Sequence, residues 1–531
     1  MRITTSALAR LTRAALMLAG ALGAALGGST PAAAADKAAP AADGAGPRAT
    51  GAADAAAAHA AAHGAADQPA QAAVAAAPRA TGAADAAAAH AAAPHGAADQ
   101  PAQAAVAAGP RATGAKAAAV ARAAAAAPAD APAQPLGSLV IIGGALRPDN
   151  AEVWQRIVQL AGGQGARIAV LPSAAADPLQ VGQVIADRLR AYGADAFLVP
   201  LAVKLADHDY RQAADDPALA AAVRAAGGVY FVGGDQARIT QALVRADGSR
   251  SAVLDAVWDV YRQGGVVAGT SAGAAIMSST MFYAPHSVYA TLRSGVPGLT
   301  DGREVAPGLG FIGDDVFIDQ HFLVRGRFAR MIPAMLKKGY KYGLGIDENT
   351  AMVVDRQRSV EIVGHKGALL VDLTHASTDP HSAGFNVANA VISYLDRGDR
   401  YDLASHTFTP SAAKAAGRLA PRRDAADGPV FSPDILGRNA LVELMENLIT
   451  NRRSEAIGIA TAGPGAQLPE LGFQFTLSKT ADSVGYVAAP ASASASAQAQ
   501  AQAAGTPGYS ILNLRLDIQP LEASQPLSHR Q

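Results

Sequence analysis

The chemistry of this chain concentrates in Gly269-Thr270-Ser271-Ala272-Gly273. The apolar run Gly265–Ala268 leads into it, and the small, helix-compatible run Ala272–Met277 leads out. That order reads as buried strand, sharp turn and helix, with a G-x-S-x-G pattern on the turn. A serine so placed presents its oxygen at the carboxyl end of a strand. The amide of Ala272, at a helix N-terminus, would stabilise an oxyanion developing beside it. The same pentapeptide also reads as an ordinary Gly/Ser turn, because short patterns recur by chance.

A serine nucleophile needs a base and a third group that orients the base. His321 closes the strand-like run Val316–Ile318 inside the cluster Asp319-Gln320-His321-Phe322, and Glu348 follows the apolar run Gly343–Ile346. Taken singly, each also reads as a hydrogen-bonded surface histidine or a solvated helix-start carboxylate. The order Ser, His, Glu differs from the Ser, acid, His order of α/β-hydrolases. Asp372 with His381 would restore that order and ranks second, because it lies in a polar, loop-like stretch. Arg325, Arg327 and Arg330 follow His321 closely. Paired guanidinium groups suit carboxylates, although a solvated basic helix start has the same spacing.

The elements that must position these groups alternate in type. Apolar runs at 139–142, 167–171, 196–199, 228–232 and 265–268 are separated by amphipathic stretches, among them Val153, Ile157 and Leu160, then Val181–Tyr192, then Val253, Leu254, Val257 and Tyr261. This predicts an α/β fold with a parallel sheet covered on both faces. Functional groups then belong at the carboxyl ends of the strands, where Gly233-Gly234-Asp235-Gln236 and Ser271 both fall. Later runs at 351–354, 360–363, 368–371 and 389–395 predict shorter strands, and the catalytic domain is placed at 136–405.

Composition narrows the function. The chain has 531 residues, 44 Lys plus Arg against 44 Asp plus Glu, and no cysteine. No global field favours nucleic acid, and thiol catalysis and disulfides are excluded. There is no P-loop, zinc-helix motif or dinucleotide fingerprint, so neither cofactor nor metal is expected. Arg2, Arg10 and Arg13 precede the apolar run 14–26, and small residues follow to Ala35. This reads as a secretory signal peptide over 1–35. The run is shorter than the roughly 20 residues of a membrane span, so the mature protein is expected outside the cytoplasm, secreted first and periplasmic second. Residues 36–134 are Ala-rich and repeat Pro-Arg-Ala-Thr-Gly-Ala from Pro47 and Pro78. With no wide apolar face they read as a spacer, and their histidines His59, His63, His90 and His95 read as incidental rather than metal-binding.

Together, Leu139–Ala145, Gly233–Gln236, Gly269–Ala274, Asp319–His321 with Arg325, Arg327 and Arg330, Gly345–Thr350 and Gly398–Leu403 resemble the cyanophycinases, serine peptidases related to aspartyl dipeptidase E. The resemblance covers most of 136–405, in order. It implies a fold similar to class I glutamine amidotransferases, a three-layer α/β/α arrangement. It implies Ser271 as nucleophile, His321 as base and Glu348 as its orienting partner, with Gly234 and Ala272 as oxyanion donors. It implies Gln236, Asp319, Gln320, Arg325, Arg327 and Arg330 as substrate-pocket positions. The family hydrolyses cyanophycin, a polyaspartate with arginine joined to each β-carboxyl, to β-Asp-Arg dipeptides, and its intracellular members form homodimers. The export signal, spacer and C-terminal extension resemble the extracellular members. A polymer granule cannot cross an envelope, so such an enzyme must act outside the cell.

The extension 406–531 carries a helix pattern at Leu436–Leu448 and strand patterns at 472–477 and 509–518, separated by an Ala/Ser/Gln tract at 491–505. These strands can pair with each other or extend the main sheet; a separate granule-binding module is one reading, and an appendage packed on the catalytic domain is preferred, because too few apolar residues remain for an independent core. Two other readings stay open. A peptidase for small aspartyl peptides needs only a compact acidic pocket, and a non-catalytic polymer-binding protein needs no complete Ser/His/Glu set.

Overall fold

The structure is a computed structural model that describes residues 137–382, 384–421, 428–462, 472–488 and 508–521. Residues 1–35, read as a signal peptide, residues 36–134, read as a spacer with its histidines, and the 491–505 tract lie outside the described residues.

The fold is mixed α/β. Its strands in chain order are β1 (Ser138–Ile142), β2 (Arg167–Leu171), β3 (Asp195–Leu198), β4 (Gly228–Phe231), β5 (Val266–Thr270), β6 (Thr280–Phe282), β7 (Val305–Pro307), β8 (Val316–Gln320), β9 (Tyr342–Ile346) and β10 (Thr350–Val354). They continue with β11 (Ser359–Gly364), β12 (Ala368–Asp372), β13 (Val387–Leu395), β14 (Arg400–Asp402), β15 (Thr407–Thr409), β16 (Val430–Ser432), β17 (Glu455–Thr461), β18 (Gly472–Ser478), β19 (Val484–Val487) and β20 (Tyr509–Leu521).

The first sheet has nine strands in the order β15-β14-β11-β10-β1-β5-β4-β2-β3. Strands β1, β5, β4, β2 and β3 run parallel. The expected parallel sheet is therefore part of a mixed one, because β10 pairs antiparallel with β1, and β11, β14 and β15 follow in successive antiparallel pairs. The cause is local. Asp355 caps the turn between β10 and β11 through its carboxylate to the amides of Gln357 and Ser359, so the chain reverses at once instead of crossing over through a helix.

Strand periodicity sorts the core. Leu139 and Ile141 point to one face of β1 and Val140 and Ile142 to the other, all fully buried. The helices Ala151–Leu160 and Pro178–Ala191 cover the Val140 face through Val153, Trp154, Ile157, Ala186 and Leu189. Pro217–Arg224, Gln236–Leu243 and Ala252–Arg262 cover the Leu139 face. Asn150, Asp177, Asp216, Asp235 and Ser251 cap these helices with side-chain oxygens, as first-turn amides require.

The second sheet has nine strands, ordered β16-β17-β18-β20-β13-β12-β9-β8 with β19 beside β20. Strand β20 pairs with both β13 and β18. Strands from either side of residue 405 thus share one sheet and one apolar cluster, in which Phe317, Phe328, Val371 and Ile392 meet Phe473, Phe475, Leu514 and Leu516. Among the described residues, no helix is long and apolar enough to cross a membrane.

Candidate active site

Ser271 sits between β5 and the short helix Ala272–Ala275, with φ 54° and ψ −112°. That left-handed conformation is costly for a non-glycine residue. Three contacts hold it. The Ser271 amide donates to the Ile142 carbonyl at 2.9 Å, and its own carbonyl accepts from Ala274 and Ala275 at 2.8 and 3.0 Å. The flanking glycines are obligatory, because a Cβ at Gly269 would lie 2.2 Å from the Gly273 carbonyl oxygen and one at Gly273 2.5 Å from that of Phe231.

The base and acid come from the second sheet. Strands β8 and β9 are parallel neighbours, with Gln320 opposite Ile346, so the residues just past their carboxyl ends converge. His321 Nε2 lies 2.9 Å from Ser271 Oγ, and His321 Nδ1 lies 2.7 Å from Glu348 Oε1. The carboxylate can only accept, so Nδ1 donates to it and Nε2 is left to accept the serine proton. The end of β1 clamps the ring, since the His321 amide donates to the Gly143 carbonyl at 2.8 Å. Asp372 and His381 lie elsewhere. Asp372 ends β12 and accepts from the Thr374 amide at 2.7 Å, while the exposed His381 donates its backbone amide to the Asp379 carboxylate at 2.8 Å. The histidine within hydrogen-bond distance of Ser271 is His321.

Electrostatics suit a proton acceptor. Burial depresses the His321 pKa to about 4; the Glu348 hydrogen bond opposes this, and the charges of Arg325 and Arg327 add to it. The ring is therefore neutral at pH 7. The bond to His321, with Lys366 and Arg325 nearby, holds the Glu348 carboxyl below its usual range.

Gly234 and Ala272 flank the serine. Ala272 opens the helix after it, where first-turn amides have no partner within the helix. The Gly233-Gly234 loop follows β4, and a Cβ on Gly233 would lie 3.2 Å from that of Ser271. Gly234 has φ +144° and packs onto the Ala174 carbonyl, where any Cβ would collide.

The residues expected to touch substrate are partly engaged with one another. Arg330 grips Asp319 with two hydrogen bonds of 3.0 Å, and all but 3% of Arg330 is buried. Its guanidinium also lies 4.3 Å from the centre of the Phe282 ring. Arg327 donates to the Gln320 carbonyl at 3.0 Å and stands 3.7 Å from Asp319. Gln236 donates to the Phe282 carbonyl at 2.8 Å. Gln320 Oε1 is buried with no hydrogen-bond partner among the described residues. Arg325 is half-buried.

Sequence reasoning passed over a supporting layer. Asp347, fully buried, accepts from Lys366 Nζ at 3.0 Å and from the Val324 amide at 3.3 Å. It pins the loop carrying Glu348 to the one carrying Arg325. A lone aspartate in Ile346-Asp347-Glu348 was the only signal, and its lysine partner lies on the next hairpin. Among the described residues, no group of three His, Cys, Asp or Glu is placed to hold a metal ion.

A hydrogen-bonded Ser, His and Glu chain on a mixed α/β frame is an arrangement that hydrolases use. The pattern of peptidase family S51 matches residues 139–362, and the chain belongs to this family. It is 31% identical over 285 residues to a cyanophycinase of Trichormus variabilis, covering 52% of this chain and 88% of that one. It is 30% identical over 279 residues to a cyanophycinase of Geminocystis herdmanii, covering 51% of this chain and 94% of that one. A crystal structure of a peptidase from an acI-B1 Actinobacterium aligns with a TM-score of 0.38 at 19% identity, over 51% of this chain and 98% of that one.

Proposed function

We propose that this chain is an exported serine exopeptidase that hydrolyses cyanophycin to β-Asp-Arg dipeptides, on a scaffold of the class I glutamine amidotransferase type. The observation that carries the reading is the continuous path from Ser271 Oγ through His321 to Glu348, at 2.9 and 2.7 Å. His321 takes the serine proton as Oγ attacks the substrate carbonyl. The amides of Ala272 and Gly234 face the oxyanion. His321 then returns the proton to the leaving amine, and water repeats the sequence on the acyl-enzyme. A β-Asp-Arg product keeps its isopeptide link, so the bond cut is the aspartate backbone amide.

Charge complementarity supports the polymer. Each repeat carries a carboxylate and a guanidinium; the charges of Arg325 and Arg327 reach His321, and the neighbouring Gln320 has a side-chain Oε1 with no hydrogen-bond partner among the described residues. Asp319 is occupied by Arg330, so that pair shapes the pocket wall while Arg325 and Gln320 meet the substrate. Export is inferred from the N-terminal sequence alone.

The test is clearing of a cyanophycin suspension by wild-type and Ser271→Ala protein, with products identified by mass. Wild type should release β-Asp-Arg and the variant none, while arginine-free polyaspartate stays intact. Wild-type turnover by Ser271→Ala refutes the mechanism, and equal cleavage of polyaspartate refutes the specificity.

A further inference from the structure

A cavity lies away from Ser271. It occupies about 200 Å³ between the two sheets, at the rim formed by the β14–β15 hairpin. Aliphatic side chains of β12, β13 and β20 form its walls, with Tyr401, His406 and Phe408 of the hairpin, the carboxylate of Asp372 and Asn513. We infer that this cavity is a binding site for an alkylguanidinium group.

Three observations fix the chemistry. The first is charge. Asp372 is the one acidic residue of the lining, and no lysine or arginine lines the space. One of its oxygens accepts from the Thr374 amide, and a carboxylate has capacity for further donors. A half-buried carboxylate facing an apolar hollow selects a cation with an apolar stem.

The second is the aromatic rim. His406 stacks on Tyr342 with ring centres 3.9 Å apart and planes inclined by 17°. Its Nδ1 lies 3.2 Å from the Tyr401 hydroxyl, and its backbone is held at φ 56°. Flat rings beside a carboxylate match a planar guanidinium, which stacks and forks at once, better than a compact ammonium. The third is size. The space is below the roughly 300 Å³ at which sites for drug-sized ligands begin, so it takes a side-chain-sized guest.

The guanidinium has two sources, a free small molecule or an arginine of a polymer whose backbone is held at Ser271. Only the second source rests on the proposed function. The experiment uses the full chain and agmatine, an alkylguanidinium that has no amide to cleave. Calorimetric titration should show saturable binding to wild type. Asp372→Asn should weaken it by about tenfold to hundredfold, the usual loss for a charge-assisted hydrogen bond. His406→Ala, at an exposed position, should weaken it several-fold, and cadaverine, a diamine that matches the two charges of agmatine, should bind more weakly than agmatine. Agmatine binding unchanged in both variants overturns the site. In a Ser271→Ala background, a matching loss of cyanophycin affinity in Asp372→Asn identifies polymer arginine as the guest, and an unchanged affinity identifies a free guanidinium. Turnover by wild type plays no part in either readout, so failure here is distinct from failure of the peptidase reading.

Discussion

Gly144 lies against the imidazole of His321. A Cβ at 144 would stand 2.2 Å from Cε1 and 2.3 Å from Nε2 of that ring, and Gly144 has φ +110°. The end of β1 therefore acts as the plate against which the histidine is set. Gly144→Ala should drive the ring off the Ser271–Glu348 line. Misplacement of a reacting group by about 1 Å can cost about a hundredfold in rate, so kcat should fall by about that factor. The left-handed backbone adds roughly 1–2 kcal/mol of destabilisation. Paired kcat and melting measurements check this, and an active Gly144→Ala would show that the ring can shift without loss.

The depressed His321 pKa makes a second prediction. If the folded value is about 4, the acidic limb of kcat should have its midpoint near pH 4 rather than near the usual histidine value of 6.5. Stability has its own sign. The unfolded chain binds the histidine proton below about pH 6.5 and the folded one only below about pH 4, so stability falls as pH drops through that window and then levels off. Arg325→Ala removes a positive neighbour and should move the kcat limb upward. A limb that stays put in that variant would show that Arg325 does not act on the ring.

The Asp319–Arg330 pair permits a third. Both side chains are buried, so removing one partner leaves an uncompensated charge and should cost about 3–5 kcal/mol. Asp319→Asn and Arg330→Met should each lower the unfolding free energy by about that much. The double variant Asp319→Leu/Arg330→Met should lose less than the sum. Chemical denaturation measures this, and full additivity would mean that the two residues are not energetically coupled.

How far the sequence disclosed the site depends on distance along the chain. The strand–serine–helix turn is local, and its glycines and apolar flanks announce it. His321 and Glu348 each stand one step past an apolar run, which marked the strand ends but not their adjacency; that comes from the parallel pairing of β8 with β9. The antiparallel half of the first sheet was not legible, because short apolar runs do not state their direction. The mutual engagement of Asp319 with Arg330 was equally hidden. Both types suit a substrate, and only packing shows that they hold each other. The helix after them begins at Phe328, so Arg325 and Arg327 lie in the turn before it.

The last prediction concerns the chain beyond Asp402. Strand β20 lies between β13 and β18, so ending the chain at Asp402 would strip the hydrogen-bonding edge of β13 along Val387–Leu395. It would also remove Phe473, Phe475, Leu514 and Leu516 from the cluster that holds Phe317 and Phe328. An open apolar edge promotes association, so the truncated chain should aggregate. A single substitution tests the same connection more finely. Lys414 is 2% exposed and pairs with Asp396 at 3.2 Å and Asp399 at 2.9 Å, while Ser510 of β20 donates to Asp399. This buried cluster ties the turn before β14 to β20. Lys414→Met leaves two carboxyl groups together without their cation and should cost about 3–5 kcal/mol. Burial already raises the Asp396 pKa, so the variant should recover stability as pH falls and that carboxyl takes up a proton, opposite to wild type between pH 4 and 6.5. A Lys414→Met protein as stable as wild type at neutral pH would show that this cluster does not anchor the extension, whatever the truncation does.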